Sequence, residues 1–423
     1  MKFLRLFGVM LLLVLSVTSV TAQDAEPSGD LELFSWWTGG GEAAGLEALI
    51  ERFTELYPDV NVVNSAVAGG SGVNARAVLA SRLDAGEPPD SFQAHAGSAM
   101  INIYGAARME PLNFLYEENG WMEQFPEGLL DLITDDGNIY SVPANIHRSN
   151  VMWYVPGNLE EWGVTVPETW EEFISETCPA LQEAGIVPLS VGQSWTQVHL
   201  WESVALGVLG VEGYNGLWDG STAWDSPEVV EVFDTYGQIL DCTNDDRDAI
   251  DWQPASQMVA EGTAAFNIMG DWAAGYFLTD LELEPGTDFA WTTPPGTEGV
   301  FIMLSDTFGL PIGAPHRENA IAWLTFLGSA EAQDIFNPIK GSLPANTTAD
   351  IENTELYNAY FQDAYEDWTT NEIVGSLAHE TVGAGEFLNG FSELIAQFAA
   401  DHDSETATLF AAELYADTLG TEG

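Results

Sequence analysis

Lysine is almost missing from this chain. Lys2 and Lys340 are the only two in 423 residues, and all basic side chains together number 10 against 66 acidic ones, for a formal net charge of −56. A surface this negative repels phosphate backbones and anionic lipid headgroups, which excludes general nucleic-acid binding. The self-repulsion is tolerable where salt screens it or low pH titrates carboxylates, which points to the outside medium. Cysteine is nearly absent as well, with only Cys178 and Cys242. No run of 18 apolar residues follows the N-terminus, so no membrane span is expected there. The chain has no Gly-x-Ser-x-Gly nucleophile elbow, which removes support for an α/β-hydrolase. Its six histidines show no metal-ligand spacing, and neither a metal nor a cofactor is expected.

What is present is ample apolar material. Hydrophobic residues make up 46% and charged residues 18%, which excludes global disorder. At roughly 150 residues per domain, the length suggests two or three domains. Lys2 and Arg5 precede an apolar stretch from Leu6 to Val17, and Val20-Thr21-Ala22 offers small residues for cleavage. Residues 1–22 therefore read as a removable signal peptide, with a retained anchor helix as the alternative. No cysteine follows the apolar stretch, so lipid attachment at that point is excluded. An even cysteine count in an exported chain favours a Cys178–Cys242 disulfide; two buried free thiols are the other reading.

Along the chain, strand and helix patterns alternate. Leu31 to Trp37 reads as a strand, Ala43 to Tyr57 as a helix stopped by Pro58, and Val60 to Val67 as a second strand. Val73 to Asp84 reads as a helix and Ser91 to Ala94 as a third strand. Asp136-Gly137-Asn138 is a turn. Val166 to Ala184 reads as helical, Ile186 to Val191 as a strand, Met258 to Gly262 as a helix end, and Ala264 to Met269 as a strand before the helix opened by Gly270-Asp271-Trp272. This alternation indicates an α/β fold. Asp241 to Asp251 lacks the glycine and closing glutamate of a calcium loop and reads as a solvated acidic loop. Gly70-Ser71-Gly72-Val73-Asn74-Ala75 nearly matches a dinucleotide fingerprint, but Asp90 precedes its strand instead of ending it, and the net charge disfavours a pyrophosphate.

Tryptophan is abundant, at 15 residues. Trp36-Trp37 stands at a strand end before a glycine turn and Glu42. Ligands of open α/β sheets bind outside the carboxyl ends of strands, where an indole face can stack on the C–H face of a sugar ring. One ring of the pair is expected in the core and the other in a site. Trp272 is open to either reading. Lys340, the one lysine left after cleavage, sits in Lys340-Gly341-Ser342-Leu343-Pro344-Ala345-Asn346.

These pieces resemble a known family. Trp36-Trp37-Thr38-Gly39-Gly40-Gly41-Glu42, Asp90-Ser91-Phe92-Gln93-Ala94-His95, Gly137-Asn138-Ile139-Tyr140-Ser141-Val142-Pro143, Gly270-Asp271-Trp272 and the Lys340 segment are similar to those of family 1 extracellular solute-binding proteins, which serve ABC importers of sugars. The Trp-Trp-Thr start, the Gln-x-His and the Lys-Gly-Ser pieces look most like the glucose-binding subgroup. The resemblance covers roughly residues 30–415. It implies a two-lobed periplasmic-binding-protein-like fold of type II, whose hinge has three chain crossings. The first lobe would be 30–143 and 306–342, the second 144–305 and 343–423. A monosaccharide, glucose or a related hexose, would bind between them. Trp36 or Trp37 and Trp272 would stack on the ring. Glu42, Gln93, His95, Asp306, Lys340 and His379 would bond hydroxyls, and position adds Asn145. The implied protein is a monomeric, non-lipidated periplasmic or extracellular receptor that delivers sugar to permease subunits and catalyses nothing. The alternatives are a secreted glycosidase or lyase, for which 66 acids make chance carboxylate pairs unavoidable, and an oligosaccharide-binding protein.

Overall fold

The computed structural model describes residues 26–420; the expected signal peptide, residues 1–22, lies outside them. The first sheet has strand order Val60–Asn64, Gly29–Phe34, Ser91–His95, Asp306–Gly309, Ser141–Pro143. Its first three strands are parallel and are linked by helices Gly40–Leu56 and Val73–Ala85, as βαβ units require. Asp306–Gly309 runs antiparallel to its neighbours, with Asp306 opposite His95 and Phe308 opposite Gln93. Side chains alternate along a strand, so Gln93, His95 and Asp306 share one face.

A second sheet is ordered Ala290–Thr292, Met152–Tyr154, Ala264–Ile268, Val187–Ser190. A third is ordered Glu372–Gly375, Val300–Leu304, His147–Arg148. The chain leaves the first sheet at Pro143 and enters the third at His147. It returns between Leu304 and Asp306 with Ser305 alone at the crossing. The third passage follows helix Ala330–Lys340, where Leu343 exchanges backbone hydrogen bonds of 2.8 and 2.9 Å with Ile146. The crossings also bond to one another: Ser305 Oγ donates to the Asn145 carbonyl at 2.6 Å, and Ala144 N–H donates to the Asp306 carbonyl at 2.9 Å. This is a two-lobed α/β architecture with a three-stranded hinge. One core gathers Leu33, Phe53, Phe92, Phe308 and Trp323; another gathers Trp201, Leu217, Phe233 and Phe391.

Three local expectations are corrected, one of them the second strand, which stops at Asn64 and not at Val67. The first strand ends at Phe34, before the tryptophan pair, because the Trp36 N–H turns to the side chain of Gln93, with Oε1 accepting at 3.1 Å. Residues 166–169 are not helical. Pro167 disfavours the helical region for Val166, and Thr169 caps a helix that starts at Trp170, its Oγ1 accepting from Glu172 N–H at 3.1 Å. The chain then continues through a π-turn, Phe173–Thr177, into Cys178–Glu183. Elsewhere the local chemistry matches. Asp136 and Gly137 both have positive φ, 45° and 76°, the signature of a tight hairpin turn between Thr134–Asp135 and Asn138–Ile139.

Cys178 and Cys242, 64 positions apart in sequence, are joined in a disulfide with Cα atoms 5.9 Å apart. A loop of this length is worth ~4 kcal/mol in the chain-entropy account. Reduction is therefore expected to lower the unfolding free energy by an amount of that order. Denaturant titrations with and without reductant measure the difference, and thiol labelling of denatured, unreduced protein is expected to find no free thiol.

Candidate functional site

Between the sheets lies a narrow cavity, in which water-sized molecules find only about 30 Å³ of room. Trp36, Glu42, Gly70, Ser71, His95, His147, Trp195, Trp252, Trp272, Leu304, Asp306, Lys340 and His379 form its wall. Of the residues expected from the sequence, Trp36, Glu42, His95, Trp272, Asp306, Lys340 and His379 come together here.

Helix termini build one side. Glu42 is in the first turn of Gly40–Leu56 and Lys340 is the last residue of Ala330–Lys340, each at the end whose partial charge suits it. Two glycines let these ends approach. A Cβ on Gly41 would lie 2.3 Å from the Ile339 carbonyl oxygen, and one on Gly275 would lie 2.4 Å from that of Lys340. The Lys340 ammonium is thereby only 2% exposed. It donates to Glu42 Oε1 at 3.0 Å and stands 5.7 Å from the ring centre of Trp272. The sequence suggested a lysine free to meet hydroxyls; the structure gives it a carboxylate partner.

Asp306 is the centre of the polar floor. Its Oδ1 accepts from Gln93 Nε2 at 2.8 Å. Its Oδ2 accepts from Asn145 Nδ2 at 2.9 Å and from His147 Nε2 at 3.2 Å. Its backbone N–H donates to Asn145 Oδ1 at 2.8 Å. Burial would raise its carboxyl, but the hydrogen bond from His147 and the charge of Lys340 outweigh that and hold it far below the usual carboxylate range. The other ring nitrogen of His147 meets Asp271. Burial opposes charge on this imidazole, yet the Asp271 and Asp306 carboxylates prevail and lift its pKa above the ordinary histidine value. Gln93 and Asn145 therefore stand behind the wall with their amides committed to Asp306 and Trp36. Trp37 also falls outside the wall. Its ring lies 4.8 Å from that of Phe336 and 5.4 Å from that of Phe308, in the first core. Trp36 is the member of the pair that lines the cavity, edge-on to His95 at 5.0 Å.

The opposite side is aromatic, and most of it carried no local signal. Trp195 opens helix Trp195–Asp219, His199 lies one turn on, and Trp252 opens helix Trp252–Ala260 behind its cap Asp251. The rings of Trp195, Trp272, His199 and His379 lie 5.0–6.0 Å apart. The clue available in the sequence was Trp195 with His199, four apart at the start of a helix that follows the strand Val187–Ser190. The Gly70-Ser71-Gly72 segment serves this packing. A Cβ on Gly70 would come within 2.4 Å of Trp195 Nε1, and one on Gly72 within 2.7 Å of the Trp36 ring. Trp195 Nε1 and His199 Nε2 are buried with no hydrogen-bond partner among the described residues.

His199, Glu202 and His379 place possible metal-ligand atoms within 4.8 Å of one another. The lone pairs of Glu202 are already committed, however. Its oxygens accept from the hydroxyls of Ser149 and Ser376 and from the N–H groups of Leu377 and Ala378. Burial raises this carboxyl to about 7 against those bonds, lowers His199 to about 3, and drives His379 well below the usual histidine value, with neighbouring imidazoles adding to the effect on His379. The order is carboxylate, hydroxyl, imidazole. A nucleophilic triad needs the imidazole in the middle, so these serines are not activated.

Residues 38–334 match the family described as bacterial extracellular solute-binding protein. The chain is 31% identical over 382 residues to an uncharacterized ABC transporter extracellular-binding protein of Pyrococcus horikoshii, covering 89% of this chain and 85% of that one. It is 30% identical over 396 residues to a probable sugar-binding periplasmic protein of Rhizobium meliloti, covering 92% and 94%. Among solved structures, the bacterial solute receptor AcbH, with its reported preference for β-D-galactopyranose, superposes with a TM-score of 0.80 over 93% of this chain and all of that one, at 18% identity. Among the described residues no helix is long and apolar enough to cross a membrane.

Proposed function

The chain belongs to the family of bacterial extracellular solute-binding proteins, and from that premise we propose that it captures one neutral hexose, glucose or a close relative, and delivers it to the permease subunits of an ABC importer. It is a binding protein and not an enzyme. The observation that carries the choice of ligand is the small, aromatic-flanked cavity. Charged and hydroxyl-bonding groups (Glu42, Asp306, Lys340, His95, His379) face a space flanked by Trp36, Trp195, Trp252 and Trp272, and each of these rings is less than one-tenth exposed. Aromatic faces suit the C–H faces of a sugar ring, and charged groups suit its hydroxyls. A longer saccharide needs more room than these buried side chains leave, which favours a single ring. We assign the first lobe to 30–143 and 306–342 and the second to 144–305 and 343–423. The protein acts as a monomer whose lobes hinge about the crossings at 144–146, 305 and 341–345 to admit and release the sugar.

Calorimetric titration with glucose, galactose, xylose, maltose and cellobiose tests this reading. At least one monosaccharide is expected to bind more tightly than either disaccharide. Tighter binding of a disaccharide than of every hexose would replace the proposal with an oligosaccharide receptor, and product formation from any of them would favour the glycosidase alternative. Small-angle scattering with the bound sugar is expected to show a smaller radius of gyration than without it.

A further inference from the structure

Behind His379, which lines the cavity, and its neighbour His199 sits a single carboxylate. Glu202 Oε2 accepts from the backbone N–H of Leu377 at 2.7 Å and of Ala378 at 3.0 Å. Oε1 accepts from the Ser149 hydroxyl, and the Ser376 hydroxyl lies 3.0 Å from both oxygens. Each serine also touches an imidazole. Ser149 Oγ is 3.2 Å from His199 Nδ1, and Ser376 Oγ is 2.8 Å from His379 Nδ1. Glu202, both serines and both histidines are almost wholly buried, so bulk water does not compete for these bonds.

The donor count then fixes the protons. An ionised carboxylate only accepts, and a hydroxyl has one proton to give. Ser149 and Ser376 each spend that proton on Glu202, so each oxygen is left to accept from the imidazole behind it. The Nδ1 atoms of His199 and His379 must therefore carry hydrogen. A neutral imidazole has only one N–H, which leaves each Nε2 as a bare acceptor. His379 lines the cavity, and the His199 ring lies 5.5 Å from it.

We infer that Glu202 is a positioning residue that acts through Ser149 and Ser376 to hold His199 and His379 in the Nδ1–H tautomer, so that a ligand must present a hydrogen-bond donor to His379. The ligand half of this inference rests on the sugar-binding reading; the tautomer half does not. A hydroxyl satisfies the requirement at that point. A fluorine, an ether oxygen or a carbonyl oxygen, each of which can only accept, meets a lone pair there.

The test is ¹⁵N NMR of histidine-labelled, sugar-free protein at a pH well above neutral, where Glu202 is ionised. Both His199 and His379 are expected to show a protonated Nδ1 and an unprotonated Nε2. A proton on Nε2 of either ring would overturn the relay, whatever the protein binds. In E202Q the carboxamide oxygen is expected to stay on the Leu377 and Ala378 amides, turning its NH₂ toward Ser149. Ser149 then gives its proton to His199 Nδ1, and the His199 tautomer reverses to Nε2–H. An unchanged His199 tautomer in folded E202Q would also overturn the relay, and if this variant does not fold the wild-type spectrum still decides. Should the tautomers be as expected while no sugar binds, the relay stands and the ligand reading fails.

Discussion

Replacing Asp306 by Ala is expected to cost the folded protein roughly 3–5 kcal/mol, the range for removing one partner of a buried charge network. The side chain is buried and receives hydrogen bonds from Gln93, Asn145 and His147. Its loss leaves two buried amide donors and one imidazole N–H without an acceptor, and removes the counter-charge between His147 and Lys340. The position amplifies the effect, because Asp306 is the first residue of the first sheet after the crossing at Ser305. Asp306→Asn is expected to be milder, since the amide keeps one acceptor and the shape, but its NH₂ must face other donors. The pH dependence has a definite sign. A carboxyl held far below its ordinary value contributes stability that is complete above the unfolded-state value and is lost as pH falls toward the folded-state one. The gap between wild type and Asp306→Ala should therefore be full at neutral pH and narrow in strong acid. Denaturant unfolding across pH measures both. A neutral-pH difference below about 1 kcal/mol, the worth of an ordinary hydrogen bond, would mean that the network adds nothing as a unit.

The same residues show where a sequence speaks and where it does not. Asp306 could be placed only through its resemblance to a familiar run of residues, because nothing local marks an aspartate as the acceptor for groups 159 to 213 residues away. Glu42 and Lys340 were legible for different reasons. One follows a glycine turn at a strand-to-helix junction, and the other is the sole lysine of the exported chain. The Trp36-Trp37 pair was legible as one ring in the core and the other lining a cavity. Which ring does which depends on where the strand stops, and that is set by Gln93 taking the Trp36 N–H. Gln93 and Asn145 have side chains suited to a sugar, but their bonding capacity is used inside the protein, and only the assembled sheet reveals that. Trp195, Trp252, His147 and His199 were missed because their roles arise from contacts between elements distant in sequence. Trp252 also borders a stretch that reads as solvated acidic loop. Helix boundaries failed where a proline and a threonine cap overrode apolar periodicity, at residues 166–169.

Lys340→Met is expected to weaken hexose binding by about a hundredfold, the largest single loss among the residues of the wall. Two effects combine. A hydrogen bond from a charged donor is worth ~1.5–3 kcal/mol, and each ~1.4 kcal/mol is a factor of ten in affinity. The ammonium also neutralises Glu42 and lies over the face of Trp272. Once the cation is gone, a bound sugar closes the cavity over a carboxylate without its partner, and a buried unpaired charge is costly. The second effect can be separated from the first. If unpaired Glu42 contributes to the loss, Glu42→Gln in the Lys340→Met background should recover part of the affinity, although Glu42→Gln alone should weaken binding. Such a sign reversal is a coupling between neighbours, and a double-mutant cycle measured by calorimetry isolates it. Lys340→Arg is not expected to restore wild-type affinity. A planar guanidinium needs more room than a compact ammonium, and the Lys340 side chain is only 2% exposed, with its ammonium held by Glu42 and near Trp272. Stability without sugar should fall less than in Asp306→Ala, because Glu42 is partly exposed and regains water when its partner is lost. Wild-type affinity in Lys340→Met would make the ion pair a structural contact outside the binding site, and strictly additive losses in the cycle would detach Glu42 from the role of Lys340.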